Sequence, residues 1–595
     1  MAIFLPLAAV GPEIAKSFQV NIFRHRATLF TCSADPAIRN LKGEGLWTEG
    51  RARRRELEPE RVERAAGTGR DALLRGPAWP AQVVAEWPRL WGLAPRRHAF
   101  NGPAWTAAWA ASRGPSLDLF SPVVEGPAGI EGILPLVRDP DRVLRFHGRP
   151  ECDYADLLAA PGNAPAMLER SLRLLLGRRG WRRAELDNVR EDGILASALD
   201  RLPAGLRRLV SVERQAACPA VSAAVDGPGV FSALAAKDKL RQYHRKLGRL
   251  GEVGFRHLAS REEALAHLPG FFRQHQERSV LAGRDSQFLD ERPRRFYEEL
   301  VRAMDPATEL RFGILTAGDR IAACHFGFEA NGRFLFYKPT FDVALWDYSP
   351  GQVLLRALFE YAEDRGLGIF DFTIGDEDYK HRFANEVVHT LRITVARSGG
   401  SARATGLARA ARGRLRELPW LRSLVSSVRA RKAPAVRAPG AVLAWRATAV
   451  TSEDPAGAAR GTSRAERGGL AELAGLSLAH PAAFPAASIP ALRLRLKSDE
   501  LWVARSGGDI VAAAWIGGRE EPALWPGAVK YRVISEAWTA EPADLPWWTG
   551  ELLEAAGANR DEALPLLVLA ADGEPLARES ARRGWPVAGR LTQVR

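Results

Sequence analysis

The stretch from Leu310 to Phe383, LRFGILTAGDRIAACHFGFEANGRFLFYKPTFDVALWDYSPGQVLLRALFEYAEDRGLGIFDFTIGDEDYKHRF, decides the fold. Phe312 and Ile314 alternate with other residues, Gly318-Asp319 turns the chain, and Ile321 to Phe328 runs back. Asn331-Gly332 turns it again and Phe334 to Tyr337 returns, which is a three-stranded antiparallel meander. Pro350-Gly351 then opens a helix whose Leu354, Leu355, Leu358, Tyr361 and Ala362 share one face, and Gly366 closes it. Ile369 to Ile374 (IFDFTI) reads as a short strand. The order of three strands, helix and strand places the last strand by a crossover, so the segment is an α/β (α+β) unit with a mixed sheet.

Upstream, Trp87, Leu90, Trp91, Phe100, Trp105 and Trp109 recur at helical spacing, and Ile130 to Val137 (IEGILPLV) reads as one buried strand. Arg51 to Arg64 (RARRRELEPERVER) is almost wholly charged, so residues 1–79 are expected to be a disordered extension. A chain of 595 residues needs several domains. No apolar run is long enough to span a bilayer, and Met1 to Val10 has neither a basic start nor an A-x-A cleavage site, so a cytoplasmic protein is expected, at most peripheral to a membrane. Cys32, Cys152, Cys218 and Cys324 form no C-x-x-C pair, which argues against a zinc site or disulfide framework; no metal is expected.

The net charge of +14 belongs largely to one segment. Arg397 to Arg437 holds eleven basic residues against Glu417 alone, which leaves about +4 for the rest and gives no face for DNA. Residues 398–440 therefore read as an Arg-rich linker carrying an amphipathic helix interrupted by Pro419, either docked on the protein or touching anionic lipid. Serine-hydrolase, zincin, P-loop and Rossmann fingerprints are all missing.

The run YSPGQVLL with FDFTIGDEDYKHRF (Phe370 to Phe383) resembles the CelD-like acyltransferase branch of the GNAT superfamily, itself similar in fold to the Fem aminoacyltransferases. Trp87 to Trp109 with ILPLV, then FHGRPECDYADLL (Phe146 to Leu158) and KDKLRQYHRKLGRLGEVGF (Lys237 to Phe255), look like further landmarks of that branch in the same order. The resemblance implies tandem GNAT-like lobes, placed at 80–215 and 216–397. It further implies an N-acyltransferase with acyl-CoA as donor and an amino group of a sugar or other glycan precursor as acceptor. GNAT enzymes that bind CoA carry Q/R-x-x-G-x-G/A before the long helix. Trp346, Ser349 and Gly351 stand at those three defining positions, so only the last glycine is kept. That departure leaves open an aminoacyl-tRNA donor of Fem type, or a catalytically weak scaffold of a polysaccharide-producing assembly. Residues 441–595 show a hairpin at Leu501 to Ala504 and Ile510 to Ile516 and resemble a degenerate third GNAT-like domain.

The candidate site follows from the most specific element, Asp371, Gly375, Asp376, Tyr379 and Lys380. Lys380 is expected in an exposed loop as the electrostatic anchor, a role the resemblance supports and composition alone does not. Asp376 or Glu377 would serve near the amine, or else belong to an ordinary solvated turn. Asp371, on the face opposite Phe370 and Phe372, reads equally as a base or a buried structural carboxylate. His381 would shuttle a proton or stand by. Gly351, Gly375, Tyr379 and Arg245 complete the donor- and substrate-binding set. Arg245 lies on a basic helix whose Leu240, Leu247 and Leu250 share a face, a pattern that ordinarily marks a solvated surface.

Overall fold

The computed structural model describes residues 61–64, 71–94, 97–127, 129–398, 442–446, 465–481, 484–497, 499–506, 509–519, 531–540, 566–571 and 587–591. These fall into two compact units: the larger comprises Gly50–Arg278 with Ser286–Pro419, and the smaller centres on the chain from Trp420 onward.

The larger unit begins with β1 (Arg61–Arg64) and β2 (Ala72–Gly76), then α1 (Ala81–Leu93) and α2 (Pro103–Arg113). Next come β3 (Leu119–Gly126), β4 (Gly129–Ile133), β5 (Leu136–Arg138), β6 (Val143–Phe146) and β7 (Leu158–Ala159), followed by α3 (Ala164–Leu176), β8 (Arg183–Arg190) and α4 (Ile194–Leu199). Then follow β9 (Val210–Ser222), α5 (Val230–Ala235), α6 (Asp238–Leu247), β10 (Val253–His257), α7 (Arg261–Leu281) and α8 (Glu291–Ala303). The meander is β11 (Leu310–Ala317), β12 (Arg320–Ala330) and β13 (Arg333–Phe341), and after it come α9 (Pro350–Asp364), β14 (Ile369–Asp371), α10 (Asp378–His381) and β15 (Glu386–Ala396). Asn331 and Gly332, with φ of 52° and 68°, make the tight β12–β13 turn that the Asn-Gly pair foretells.

One sheet runs through both lobes in the order β1-β2-β3-β5-β6-β8-β15-β9-β14-β13-β12-β11-β10, with β4 and β7 off this path. Each lobe uses the same device. Antiparallel strands lead to a helix, and the strand after the helix pairs in parallel with the last one: β6 with β8, and β13 with β14. The described strands of the smaller unit pair in the same way. There β16 (Val442–Arg446), β17 (Ala465–Gly468), β18 (Asp499–Ser506), β19 (Asp509–Arg519), β20 (Tyr531–Thr539), β21 (Leu566–Ala571) and β22 (Val587–Leu591) form the order β17-β18-β19-β20-β21-β16-β22. Its β20 and β21 are parallel, and β16 lies between β21 and β22 as β9 lies between β14 and β15. The chain is thus an α/β protein with tandem GNAT-like lobes and a third sheet of the same pattern.

Four local readings change. β1 and β2 bring part of the expected extension into the sheet, because Leu73 and Leu74 between charged neighbours are enough to form a buried strand. Ile130 to Val137 is two strands, split at Pro135, which has no N–H for the ladder. IFDFTI remains a strand only to Asp371, since Thr373 takes φ 57°. The boundary between 215 and 216 falls inside β9, and β15 from the end of the second lobe inserts between β8 of the first lobe and β9.

The first lobe packs around Trp87, Trp105 and Trp109. Removing the fully buried Trp105 would cost ~3–5 kcal/mol. In the second lobe Leu354, Leu355, Leu358 and Phe359 of α9 meet Leu240 and Leu247 of α6 and the sheet residues Phe334, Phe336, Phe370 and Phe372.

Candidate active site

In the second lobe β13 and β14 pair over only three positions, Arg333↔Ile369 to Leu335↔Asp371. β13 then continues to Phe341 while the positive φ of Thr373 takes the other chain out of register, so a gap opens between them. In the first lobe the chain leaves β6 at Phe146 and returns as Ala155, bridged in parallel to Val189, so its own segment His147–Ala155 fills the corresponding space.

That filling segment is held from several directions. Glu151 takes Arg113 Nη2 at 2.7 Å and Trp109 Nε1 at 3.1 Å. Tyr337 of β13 donates its hydroxyl to the Glu151 carbonyl, and Asn188 Nδ2 donates to the Cys152 carbonyl at 3.0 Å. Tyr154 Oη donates to Asp371 Oδ1 at 2.7 Å. The result is to carry Asp153 across to the gap of the second lobe.

Asp153 lies within electrostatic range of Lys338 of β13, Lys380 of α10 and Arg149, and near Thr373, whose hydroxyl donates to the Phe336 carbonyl at 3.4 Å. Burial pushes its carboxyl above the ordinary value of 3.8, and the cations and Thr373 recover only part of that shift. Lys338 is held below 10.5 by burial, with Arg278 and Lys380 adding repulsion and Asp153 opposing it. Lys380 is 5% exposed and donates to the Ile374 carbonyl at 2.9 Å and to Glu377 Oε2 at 3.0 Å. A carboxylate with a raised proton affinity beside fixed cations suits deprotonation of an amine and stabilisation of an oxyanion.

The residues singled out in the sequence separate into distinct places. Lys380 is not an exposed loop lysine: it lies on the short helix α10 and is buried under its own turn. Asp371 is fully buried with both oxygens engaged, Oδ1 by Tyr154 and the Thr373 N–H, Oδ2 by Arg190 at 3.3 Å and Arg333 at 2.7 Å. Both oxygens are thus taken up within the protein, as the structural-carboxylate reading expects. Asp376 and Glu377 are both exposed; Asp376 Oδ1 pairs with His381 Nε2 at 2.6 Å, away from Asp153's partners, and Glu377 reaches the site only through Lys380. Tyr379 packs its ring 6.4 Å from Phe372, and burial raises its hydroxyl. Gly375 takes φ 147°, a conformation that strains any other residue, and a Cβ there would also push aside the tips of Glu377 and Lys380, 2.1 and 2.4 Å away. Arg245 lies on α6, apart from this cluster. Sequence reasoning missed Asp153, Lys338 and Thr373, although FHGRPECDYADLL contained the first and FDFTIG the last.

The N-terminus of α9 does not reproduce a pyrophosphate cradle. Pro350 has no N–H to give, the Ser349 N–H goes to the Trp346 carbonyl at 3.1 Å, and the N–H groups of Gln352 and Val353 return to the Ser349 carbonyl. Ser349 itself is left-handed at φ 52°. Gly351 is near the Phe341 ring, which in turn meets Trp346 at 5.6 Å. The Ser349 position therefore offers no N–H for a phosphate, while the Gly351 N–H is not spent in this way.

Among the described residues no group of His, Cys, Asp and Glu could hold a metal ion, and no helix is long and apolar enough to cross a membrane. Cys152, Cys218 and Cys324 are buried and unpaired, as apolar fillers would be. Arg397 is anchored on the Arg178 carbonyl at 2.6 Å and over the Trp181 ring. The rest of the basic linker from residue 399, including the amphipathic helix expected there, lies outside the described residues.

Residues 235–381 match the family described as "Acetyltransferase (GNAT) domain", which supports acyltransferase activity. Solved structures with a similar course are FemX (10% identity, covering 52% of this chain and 95% of that one, TM-score 0.38) and a tandem GNAT protein from the clavulanic acid biosynthesis pathway (14%, 53% and 95%, TM-score 0.30). A third is a GCN5-related N-acetyltransferase from Sphaerobacter thermophilus (14%, 53% and 96%, TM-score 0.25). No curated protein matches the chain.

Proposed function

We propose that the chain is an N-acyltransferase that moves an acyl group onto an amino group of a sugar or other envelope or exopolysaccharide precursor. What supports this reading is that the Asp153 carboxylate lies within electrostatic range of both Lys338 and Lys380, beside the point where β13 and β14 part. In this reading Asp153, ionised, takes the proton from the attacking amine. The acyl carbonyl lies with its oxygen toward Lys338 and Lys380, whose charges offset the oxyanion that forms as the amine adds; when the adduct collapses the C–S bond of an acyl thioester, or the C–O bond of an aminoacyl ester, breaks, and the departing thiolate or alkoxide takes up the proton that Asp153 received. Asp371 positions the pair indirectly, since it holds both Tyr154, next to Asp153, and the Thr373 backbone. The incomplete cradle at the N-terminus of α9 favours a donor whose phosphates are held elsewhere, which keeps an aminoacyl-tRNA as a second donor beside acyl-CoA.

The full chain would be supplied with acetyl-CoA or aminoacyl-tRNA and a panel of amino sugars, free and as nucleotide conjugates, and acylated amine read by mass. Asp153→Asn is expected to lower kcat by about 100-fold or more with the fold intact. Activity should fall as pH drops through the raised Asp153 value, giving an acid limb above 3.8, and Lys338→Met should move that limb to higher pH by removing the first of the cations that lower it. Retention of a tenth of the activity by Asp153→Asn, with the acid limb unchanged, would refute the assignment.

A further inference from the structure

The basic helix α6 is, among the described residues, a sequence motif that the gap does not absorb. Leu240 and Leu247 bury one side of it against α9, and the remaining arc carries Lys237, Lys239, Arg241, Arg245, Lys246 and Arg249, all exposed. Asp238 is the sole acid among residues 237–249, so this short segment carries +5. Arg241 and Arg245 stand at i,i+4 spacing, where like charges destabilise a helix, and Arg249 follows in the turn just after α6. Among the described residues Lys239, Arg245 and Arg249 make no salt bridge that would relieve this repulsion. Folding alone does not account for such an arc.

The ends of the helix are fixed to the two sides of the gap. Lys237 Nζ donates to the Arg382 carbonyl at 3.3 Å and stands 5.0 Å over the Phe383 ring, just after α10. Lys246 Nζ donates to the Asp347 carbonyl at 2.6 Å, just before α9. Between them an open groove of about 390 Å3 is lined by Asp238, Arg241, His244, Arg245 and Arg356 of α9. Arg356 is itself braced by Glu360 at 2.7 Å and by the Ala235 carbonyl. A chain leaving the gap past the α9 N-terminus would therefore pass over a cationic groove in which Arg241 is paired with Asp238 and Arg356 with Glu360, while Arg245 makes no salt bridge among the described residues.

We propose that the cationic face of α6, with Arg356, binds the phosphate chain of the acyl donor. The inference rests on the acyl-transfer reading for the word donor, but its chemistry, phosphate on a helix side rather than at a helix N-terminus, stands on α6 itself.

The test measures binding without turnover, on the full chain, with CoA by calorimetry and unfractionated tRNA by filter retention, each at about 50 mM and about 300 mM salt. Wild type should bind one of the two at low salt and more weakly at high salt. Lys239→Glu/Arg245→Glu/Arg249→Glu should weaken that binding at least tenfold, and the neutral Gln triple variant should weaken it less. Arg292→Glu/Arg295→Glu, two exposed cations on α8, should change it less than twofold. CoA binding alone identifies a nucleotide thioester as the source of the phosphates, and tRNA binding alone identifies RNA. Failure of wild type to bind either probe, or unchanged binding by both α6 variants, overturns the proposal. Binding through α6 without any acyl transfer would instead overturn the acyl-transfer reading and leave the phosphate site standing.

Discussion

The two lobes of the larger unit lay down the same strands and then treat the space beyond their parallel pair in opposite ways. In the first, His147–Ala155 fills it, with Ala155 bridged to Val189 and Asn188 holding the Cys152 carbonyl. In the second, β13 runs on, β14 stops, and the space receives Asp153, Lys338 and Lys380. The difference teaches that one copy of a repeated fold can be consumed as scaffold for the other: the segment that closes the first gap is what equips the second with its carboxylate.

The largest expected effect comes from cutting the knot between them. Asp371→Ala leaves Arg190 and Arg333 without their shared buried carboxylate and releases Tyr154 and Thr373 together. A loss of ~3–5 kcal/mol is expected in urea unfolding of the larger unit, because Arg333 is left without its ion-pair partner and Arg190 keeps only Asp192. A change below about 1 kcal/mol would mean that the lobes do not depend on this junction.

Acid should undo the filled gap. His147, which begins the filling segment, sits among Trp79, Trp87 and Trp109, and burial lowers it from 6.5 to about 4. The unfolded chain then takes a proton below 6.5 that the folded lobe refuses until about 4, so stability is fully present above 6.5 and is lost as pH falls through that window. The shift corresponds to roughly 3 kcal/mol. His147→Phe should remove that part of the slope in urea midpoints measured between pH 7 and 4.5, and an unchanged slope would assign acid sensitivity elsewhere.

The smallest expected effect distinguishes backbone from side chain at the point where β8 is bridged. Asn188 has φ 63°. Asn188→Gly removes only its hydrogen bond to the Cys152 carbonyl, about 1 kcal/mol. Asn188→Ala adds about 1–2 kcal/mol for the left-handed backbone. Equal losses in the two variants would show that conformation contributes nothing to closing the first gap.

Legibility in the sequence followed distance along the chain. The meander, its Asn-Gly turn and α9 were readable because alternation, turn dipeptides and helix punctuation act within a few residues. The Gly375–Lys380 element was readable as a motif, but its burial was not: no period within DEDYKH says that Lys380 folds back onto the Ile374 carbonyl. Asp371 could be placed on the face opposite two phenylalanines, yet the choice between base and structural carboxylate needed Tyr154 and Arg190, which lie about two hundred residues earlier. Asp153 was inside a quoted landmark and still went unrecognised, because its partner Lys338 belongs to the other lobe. Pairing of that range leaves no local signature.

The placement of β15 also has a bearing on how the chain comes off the ribosome. This strand forms ladders with β8 on one side and β9 on the other, so it joins two half-sheets whose own strands all precede it in the chain. Until Glu386–Ala396 emerges, β8 and β9 each present an unpaired edge, the kind of template on which nascent chains mispair with one another. Truncation anywhere before residue 386 therefore leaves two adhesive borders rather than a shorter enzyme, and a pause in translation downstream of the strand is tolerated where a pause upstream of it invites aggregation.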